Sequence, residues 1–499
     1  MNDPPLDHLA GHTAAAAAWM AFGIVTQRIL SLVSTIVLAR MLTPDAYGVF
    51  GMGMVFVAAA HSLRDLGTAS ALIQRKQVSA ELASTLFWMN VLVGLAGALA
   101  LAGVAVPAAG LYREPNVVPV LAVLSLSFFI GSVGTVPQAM LVRALAFRPI
   151  AVIQIASAGV STVLAISLAA RGGGVWSLVA ALVLDNTMTT TLFLWAARWR
   201  PAWHFSAAEL RRVGGYSLNL AGSRVLLYAI ANVDKALVGR YLGALVLGYY
   251  ALAHGLMMYA LHNIAWALTH VVFPALSRLQ DEQDRFARAY VSTLGVITSL
   301  CFPLTLGMCV LADVLVLACF GERWLPMVPL LRILALAGMV QSASTTTGMV
   351  FASTGYTHWL LRLAAGEAVS ALVGYGLGLA WGAIGVATAC AVVHITWSVP
   401  RFSCAARIMG IPVSRIYRAL GAPLRDAALM AGVLLVVRAM LASAAVTAPW
   451  LMLVVLVPTG VVVYGALTVR HRASFLADVL DVMPATRFAW VRKLTAVSG

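Results

Sequence analysis

The sequence predicts an all-α polytopic membrane protein of about fourteen spanning helices, and three observations predict it. Uncharged apolar stretches of about twenty residues recur from Ala14 to Val469, the length a helix needs to cross roughly 30 Å of hydrocarbon. Hydrophobic residues make up 61% of the 499 and charged residues only 10%, with a mean hydropathy of +0.92. A soluble core of this size would leave far more charge outside. Finally, the cations gather at the ends of the apolar runs rather than in one patch.

Taken in order, the spans fall at about 14–38, 46–63, 84–108, 117–138, 150–170, 175–196, 214–238, 246–270, 291–312, 327–354, 360–380, 384–404, 426–441 and 450–469. Residues 1–13 form a short polar tail. The first apolar run is too long and unpunctuated for a cleaved signal peptide, so it counts as a span. About two thirds of the 33 Lys and Arg lie in even-numbered connections and the C-terminal tail, including Arg75, Lys76, Arg143, Arg148, Arg211, Arg212, Arg415 and Arg418. That asymmetry places both termini in the cytoplasm, as an even number of spans requires. The net charge of +15 is therefore a topology signal and predicts no nucleic-acid partner. Outer connections such as Arg171-Gly172-Gly173-Gly174 are too short to fold into a domain. Cys301, Cys309, Cys319, Cys390 and Cys404 show no paired spacing, and neither a metal site nor a cofactor is expected.

The chain repeats itself. Ala39-Arg40-Met41-Leu42 with Tyr47-Gly48 resembles Gly239-Arg240-Tyr241-Leu242 with Leu247-Gly248, 200 residues on. Gly174-Val175-Trp176-Ser177 is echoed by Gly385-Val386-Ala387-Thr388. Both echoes are six spans apart, an even number, which predicts two parallel six-helix lobes related by an axis along the membrane normal. The expected divisions are an N-lobe at 14–200, a cytoplasmic linker at 201–213, a C-lobe at 214–408, spans 13 and 14 at 409–469, and a cytoplasmic tail at 470–499.

A charge at the membrane centre costs about 2.5–3.5 kcal/mol on insertion scales, so it marks a cavity or a partner. In span 1, Gln27, Arg28, Ser31, Ser34 and Thr35 fall on one arc of the helix; in span 7, Ser217, Arg224, Tyr228, Asn232 and Lys235 do the same. Each lobe's first helix thus carries a polar stripe with an arginine. Guanidinium grips phosphate oxygens bidentately, so the stripes suit an anionic substrate. The candidate substrate-binding residues are Arg28, Gln27, Ser31, Arg224, Tyr228, Asn232 and Lys235, with snorkelling to the interface the alternative for Lys235. Asp185 and Glu367 are candidate ion-coupling residues, Glu367 equally a partner for an arginine. Gln341-Ser342-Ala343-Ser344-Thr345-Thr346-Thr347 reads either as a wet surface or as hydroxyls bonded to their own helix.

Leu38-Ala39-Arg40-Met41-Leu42-Thr43-Pro44 with Tyr47-Gly48 resembles the first-loop signature of Wzx-type polysaccharide flippases, within the multidrug/oligosaccharidyl-lipid/polysaccharide exporter superfamily. Asp65-Leu66-Gly67, Ala71-Leu72-Ile73-Gln74, Asp234-Lys235, Phe273-Pro274-Ala275-Leu276-Ser277-Arg278 and Phe320-Gly321-Glu322-Arg323-Trp324 fit the same pattern. The resemblance implies a V-shaped pair of lobes with spans 13 and 14 appended. It also implies a flippase, not an enzyme, that carries undecaprenyl-diphosphate-linked oligosaccharide across the bacterial inner membrane for exopolysaccharide, capsule or O-antigen synthesis. Expected partners are that lipid-linked substrate, membrane lipids, and the polymerase and glycosyltransferases of the same polymer. A multidrug or organic-cation antiporter of the same superfamily is the alternative, for which an acid on a leading helix is expected; span 1 has none. A membrane glycosyltransferase would need a catalytic acid or base on a substantial loop, and the outer connections are too short.

Overall fold

Backbone groups facing hydrocarbon have no water to bond, so the apolar runs fold as helices, with no strand among the described residues. The computed structural model describes residues 6–64, 72, 79–203, 232–261, 264–265, 267–444 and 448–482. The first half holds α1 (Leu6–Met41), α2 (Pro44–Arg64), α3 (Ala80–Tyr112), α4 (Val117–Val133), α5 (Thr135–Arg143), α6 (Phe147–Ala170) and α7 (Val175–Ala196). Then come α8 (Val233–Leu261), α9 (Ala267–Arg278), α10 (Gln283–Val310), α11 (Ala312–Cys319), α12 (Val328–Ser344), α13 (Thr347–Ser353), α14 (Thr357–Gly378), α15 (Gly382–Ile408), α16 (Val413–Ser443) and α17 (Pro449–Val482). Among the described residues eleven stretches are long and apolar enough to cross a membrane, and one of them, His358–Ile408, contains both α14 and α15. The protein is an all-α polytopic membrane protein. Predicted span 2 is the 21-residue helix α2, and most of span 7 lies outside the described residues.

Contacts divide the chain into Met1–Gly248 and Tyr249–Gly499. Within the first unit α3 packs on α4, α4 on α7, and α7 on α6, which in turn packs on α1. Within the second, α10 packs on α12, α12 on α15, and α15 on α14. The third, fourth, sixth and fifth spans thus make the same chain of neighbours as the ninth, tenth, twelfth and eleventh, as parallel repeats should. Helices α16 and α17 pack on each other and on α10.

Equivalent spans also break at equivalent places. Span 4 is α4 and α5, interrupted at Gly134, whose amide turns to Gly131 O (3.2 Å) while Thr190 Oγ1 takes the vacated Ile130 carbonyl (3.1 Å). Span 10 is α12 and α13, interrupted at Thr345 and Thr346. There the hydroxyl run satisfies its own helix: Ser342, Thr346 and Thr347 each donate to the carbonyl three residues back, at 2.7, 2.6 and 2.7 Å. All three are buried, and Tyr290 braces the break through Thr346 Oγ1 at 3.1 Å. The run therefore tightens a helix break; the wet-surface alternative does not describe these three side chains.

The repeated signature shapes two hairpins and brings them together. Between α1 and α2 the helix lapses at Leu42 and Thr43; 200 residues later α8 is interrupted at Gly243, with φ 85° and ψ 177°. That backbone strains any residue with a Cβ, which explains the glycine. Past each break, Gly48 lies against the Ala244 carbonyl and Gly248 against the Pro44 carbonyl, so close that a Cβ on either would sit far inside van der Waals contact with the oxygen. Each glycine meets the residue four ahead of the other. The contact is reciprocal, as a local two-fold axis demands, and it lies wholly within Met1–Gly248.

At one end of the second unit Asp313 ties three helices. It accepts from Arg438 of α16 at 3.0 and 2.5 Å and from Arg332 of α12 at 3.2 Å. Partial burial pushes the Asp313 carboxyl up, but the hydrogen bonds and charge of Arg438, with Arg332 behind, hold it below the usual carboxylate range. A carboxyl lowered on folding stabilises above its unfolded pKa of about 3.9, and that contribution is lost as pH falls through the lower folded value. Asp313→Asn is expected to cost on the order of 1 kcal/mol near neutrality and to flatten the acid limb of stability. Thermal unfolding of the solubilised protein followed by tryptophan fluorescence from pH 3 to 8 measures both; an unchanged acid limb would contradict the clamp.

Candidate functional site

Polar groups on spanning helices either pair or face water. On α1, Arg28 and Ser31 are exposed and Gln27 is half-buried, while nearby Gly23 packs against Ala151 of α6, where a Cβ would come within 2.6 Å of the Ala151 methyl. Thr35 of the same stripe donates its hydroxyl to the Ser31 carbonyl at 2.8 Å. The α1 stripe thus keeps its arginine out of the packed interior. Of the second stripe, Arg224 and Tyr228 lie outside the described residues. Asn232 and Lys235, at the start of α8, bond each other: Lys235 Nζ donates to Asn232 Oδ1 at 2.9 Å. Asp234 between them is buried, 3% exposed.

Asp185 is half-buried along α7, beside Asn186, whose amide donates to the Leu182 carbonyl at 2.9 Å. Glu367 is more engaged. Its Oε1 meets His394 Nδ1 at 3.0 Å, and its Oε2 accepts from Arg401. All three side chains are only 16–18% exposed. Cys390 lies one helical turn from the same imidazole and acts on it electrostatically. Of the two roles left open for Glu367, the pairing role is realised: it neutralises Arg401.

Close helix approach makes this cluster possible. Gly366 leaves room for the Trp397 ring, and Gly378 meets the Gly385 backbone, so α14 and α15 approach backbone to backbone at their joined end. Towards their joined ends an apolar groove of about 830 Å³ opens between them, reaching Ser370 and Thr396 beside the cluster. Sequence reasoning picked out Glu367 but missed His394 and Arg401. A signal was present, because Glu367 and His394 stand nearly equally far from the Leu379–Trp381 turn, and an antiparallel hairpin brings such residues level. Among the described residues no three His, Cys, Asp or Glu side chains gather to hold a metal ion.

Comparison with known proteins agrees with the resemblance read from the loop motifs. Residues 37–329 match the family described as polysaccharide biosynthesis protein. The chain is 29% identical over 343 residues to the lipopolysaccharide biosynthesis protein WzxC of Escherichia coli (strain K12), covering 67% of this chain and 69% of that one. It is 26% identical over 469 residues to the succinoglycan biosynthesis transport protein ExoT of Rhizobium meliloti (strain 1021), covering 92% and 93%. Among solved structures, the lipid II flippase MurJ in an inward closed conformation shares the fold with a TM-score of 0.69 at 14% identity, over 90% of this chain and 98% of that one. An inward-facing multidrug resistance MATE family transporter of the MOP superfamily gives 0.62 at 17% identity, over 79% and 96%.

Proposed function

The chain belongs to the polysaccharide biosynthesis protein family, and from that premise we propose that it is a flippase for undecaprenyl-diphosphate-linked oligosaccharide in the bacterial inner membrane. The observation that carries this reading is the match to a polysaccharide transport protein along nine tenths of both chains. The fold shared with a lipid II flippase supports it. Sugars cannot cross hydrocarbon unaided, and burying unpaired polar groups there costs several kcal/mol each. A helix bundle offering a polar path by alternating access removes that cost without covalent chemistry, so the protein works as a transporter rather than an enzyme. Both termini face the cytoplasm, where glycosyltransferases assemble the substrate; the polymerase takes it on the other side.

In this reading Arg28 and Arg224 hold the diphosphate, and Gln27, Ser31, Tyr228, Asn232 and Lys235 contact the sugars. Asp185 and the Glu367 cluster couple an ion to the cycle. Deletion of the protein is expected to leave lipid-linked intermediate in the inner leaflet and abolish polymer; normal outer-leaflet delivery without it would refute the function. Charge-assisted contacts are worth on the order of 1.5–3 kcal/mol each, so Arg28→Ala with Arg224→Ala should reduce export at least tenfold at unchanged membrane level. Full export by that double variant would remove the binding assignment and leave the transport reading intact.

A further inference from the structure

Glu367 stands half-way along α14 and His394 half-way along α15, so the cluster lies deep in the apolar layer, where charge is retained only against a cost. Both carboxylate oxygens are already taken, one by His394 and the other by Arg401. A sodium or other metal cation would need those same oxygens, and the guanidinium beside them repels it. A proton faces no such obstacle. With Nδ1–H donated to the carboxylate, the His394 ring keeps Nε2 free of that bond, and it can gain or lose a proton there without leaving its place. The ring is 18% exposed, so the packing around it does not seal it off completely.

The groups around the ring are few. From α14 comes Glu367; from its own helix come Cys390 and, across the carboxylate, Arg401. Arg362 of α14 lies over the Trp359 ring at 5.6 Å. Helix α12, packed along α15, carries Arg332, which is bound to Asp313, and α13 has no titratable residue. On α16, Tyr417 meets Phe402, Arg425 bonds Asp426, and Arg438 bonds Asp313. The imidazole therefore answers chiefly to one carboxylate and one thiol.

We propose that His394, held on Glu367, is a proton-binding site, and that it makes the proton the ion coupled to transport. The coupling rests on the flippase reading above; the site itself does not. In one taken-up proton, Nε2–H forms and the cluster passes from net neutral to a single positive charge shared across Glu367.

The full-length protein, carrying carbon-13-labelled histidine in lipid nanodiscs, tests the site directly. The ring signal lost in His394→Gln should titrate in a series run from about pH 5 to 11, and Glu367→Gln should shift its midpoint. A ring signal that stays constant across that range, or ignores Glu367→Gln, overturns the site. Should His394→Gln fail to accumulate, His394→Asn assigns the signal in its place, so that the response to Glu367→Gln remains a test. In cells, nigericin, which collapses the pH gradient, should cut export at least tenfold, whereas removing external sodium should not. His394→Gln at equal membrane level should export slowly and no longer respond to nigericin. Export that follows sodium, or a His394→Gln protein that still responds to nigericin, overturns proton coupling. A titrating ring in a protein whose deletion leaves glycan delivery normal supports the proton site and removes the flippase reading.

Discussion

Gly48→Ala is expected to abolish polymer export, and Gly248→Ala to match it, while Gly103→Ala leaves export unchanged. At Gly103 of α3 the added methyl meets nothing within 4 Å. At Gly48 it meets the Ala244 carbonyl, and at Gly248 the Pro44 carbonyl. A carbonyl on a helix cannot swing aside as a side chain can, so the crossing must spread by more than an ångström. Overpacking in a closed core costs about 1–3 kcal/mol when side chains can yield, and here the obstacle is backbone. Because the contact is reciprocal, the two single variants should lose similar stability. The double variant should lose less than their sum, since the first methyl already parts the helices that the second would part. Export assays alongside thermal midpoints of the solubilised protein decide the matter. A tolerated Gly48→Ala beside a damaging Gly248→Ala would show that the two glycines do not act as one crossing.

That crossing shows what the chain discloses in advance and what it withholds. The equal Arg-to-Gly spacing in the two hairpins is visible in one dimension, because a repeated turn needs the same residues at the same offsets. That the copies touch is a matter of three dimensions. The spans were legible because hydropathy is a local sum, which α1, α3, α6 and α17 satisfy residue by residue. The helix break in span 10 was not, because a hydroxyl run bonded back to its own carbonyls has the composition of one facing water. The break in span 4 turns on one glycine, Gly134, and the Ile130 carbonyl it vacates is met by Thr190 of another helix. The second echo was read three residues late: Gly382, with φ 67°, opens α15 as Gly174, with φ 52°, opens α7, while Gly385 lies inside the helix. At the candidate site the sequence marks charged residues but not their partners. Glu367 finds His394 and Arg401 only once the rotation of α14 against α15 is fixed, and that is set by Gly366 and Gly378, which carry no charge at all.

Glu367→Ala is expected to cost more stability than any other single change in the second unit. It removes the acceptor from two donors at once and leaves the Arg401 guanidinium buried among helices without its carboxylate. Breaking a buried pair from one side typically costs about 3–5 kcal/mol, whereas replacing both partners by apolar groups is often neutral or stabilising. Arg401→Leu alone should therefore also destabilise, by stranding the carboxylate. Glu367→Leu with Arg401→Leu should recover most of the loss, and the thermal midpoints of the native protein, Glu367→Leu, Arg401→Leu and the double variant give the coupling directly. Strictly additive losses would mean the two side chains do not stabilise each other. The same double variant separates the cluster's two tasks, because it restores packing while removing the carboxylate that holds His394. It should accumulate in the membrane near native level and yet export polymer at a rate indifferent to nigericin. Restored stability with restored nigericin sensitivity would confine the cluster to holding α14 against α15.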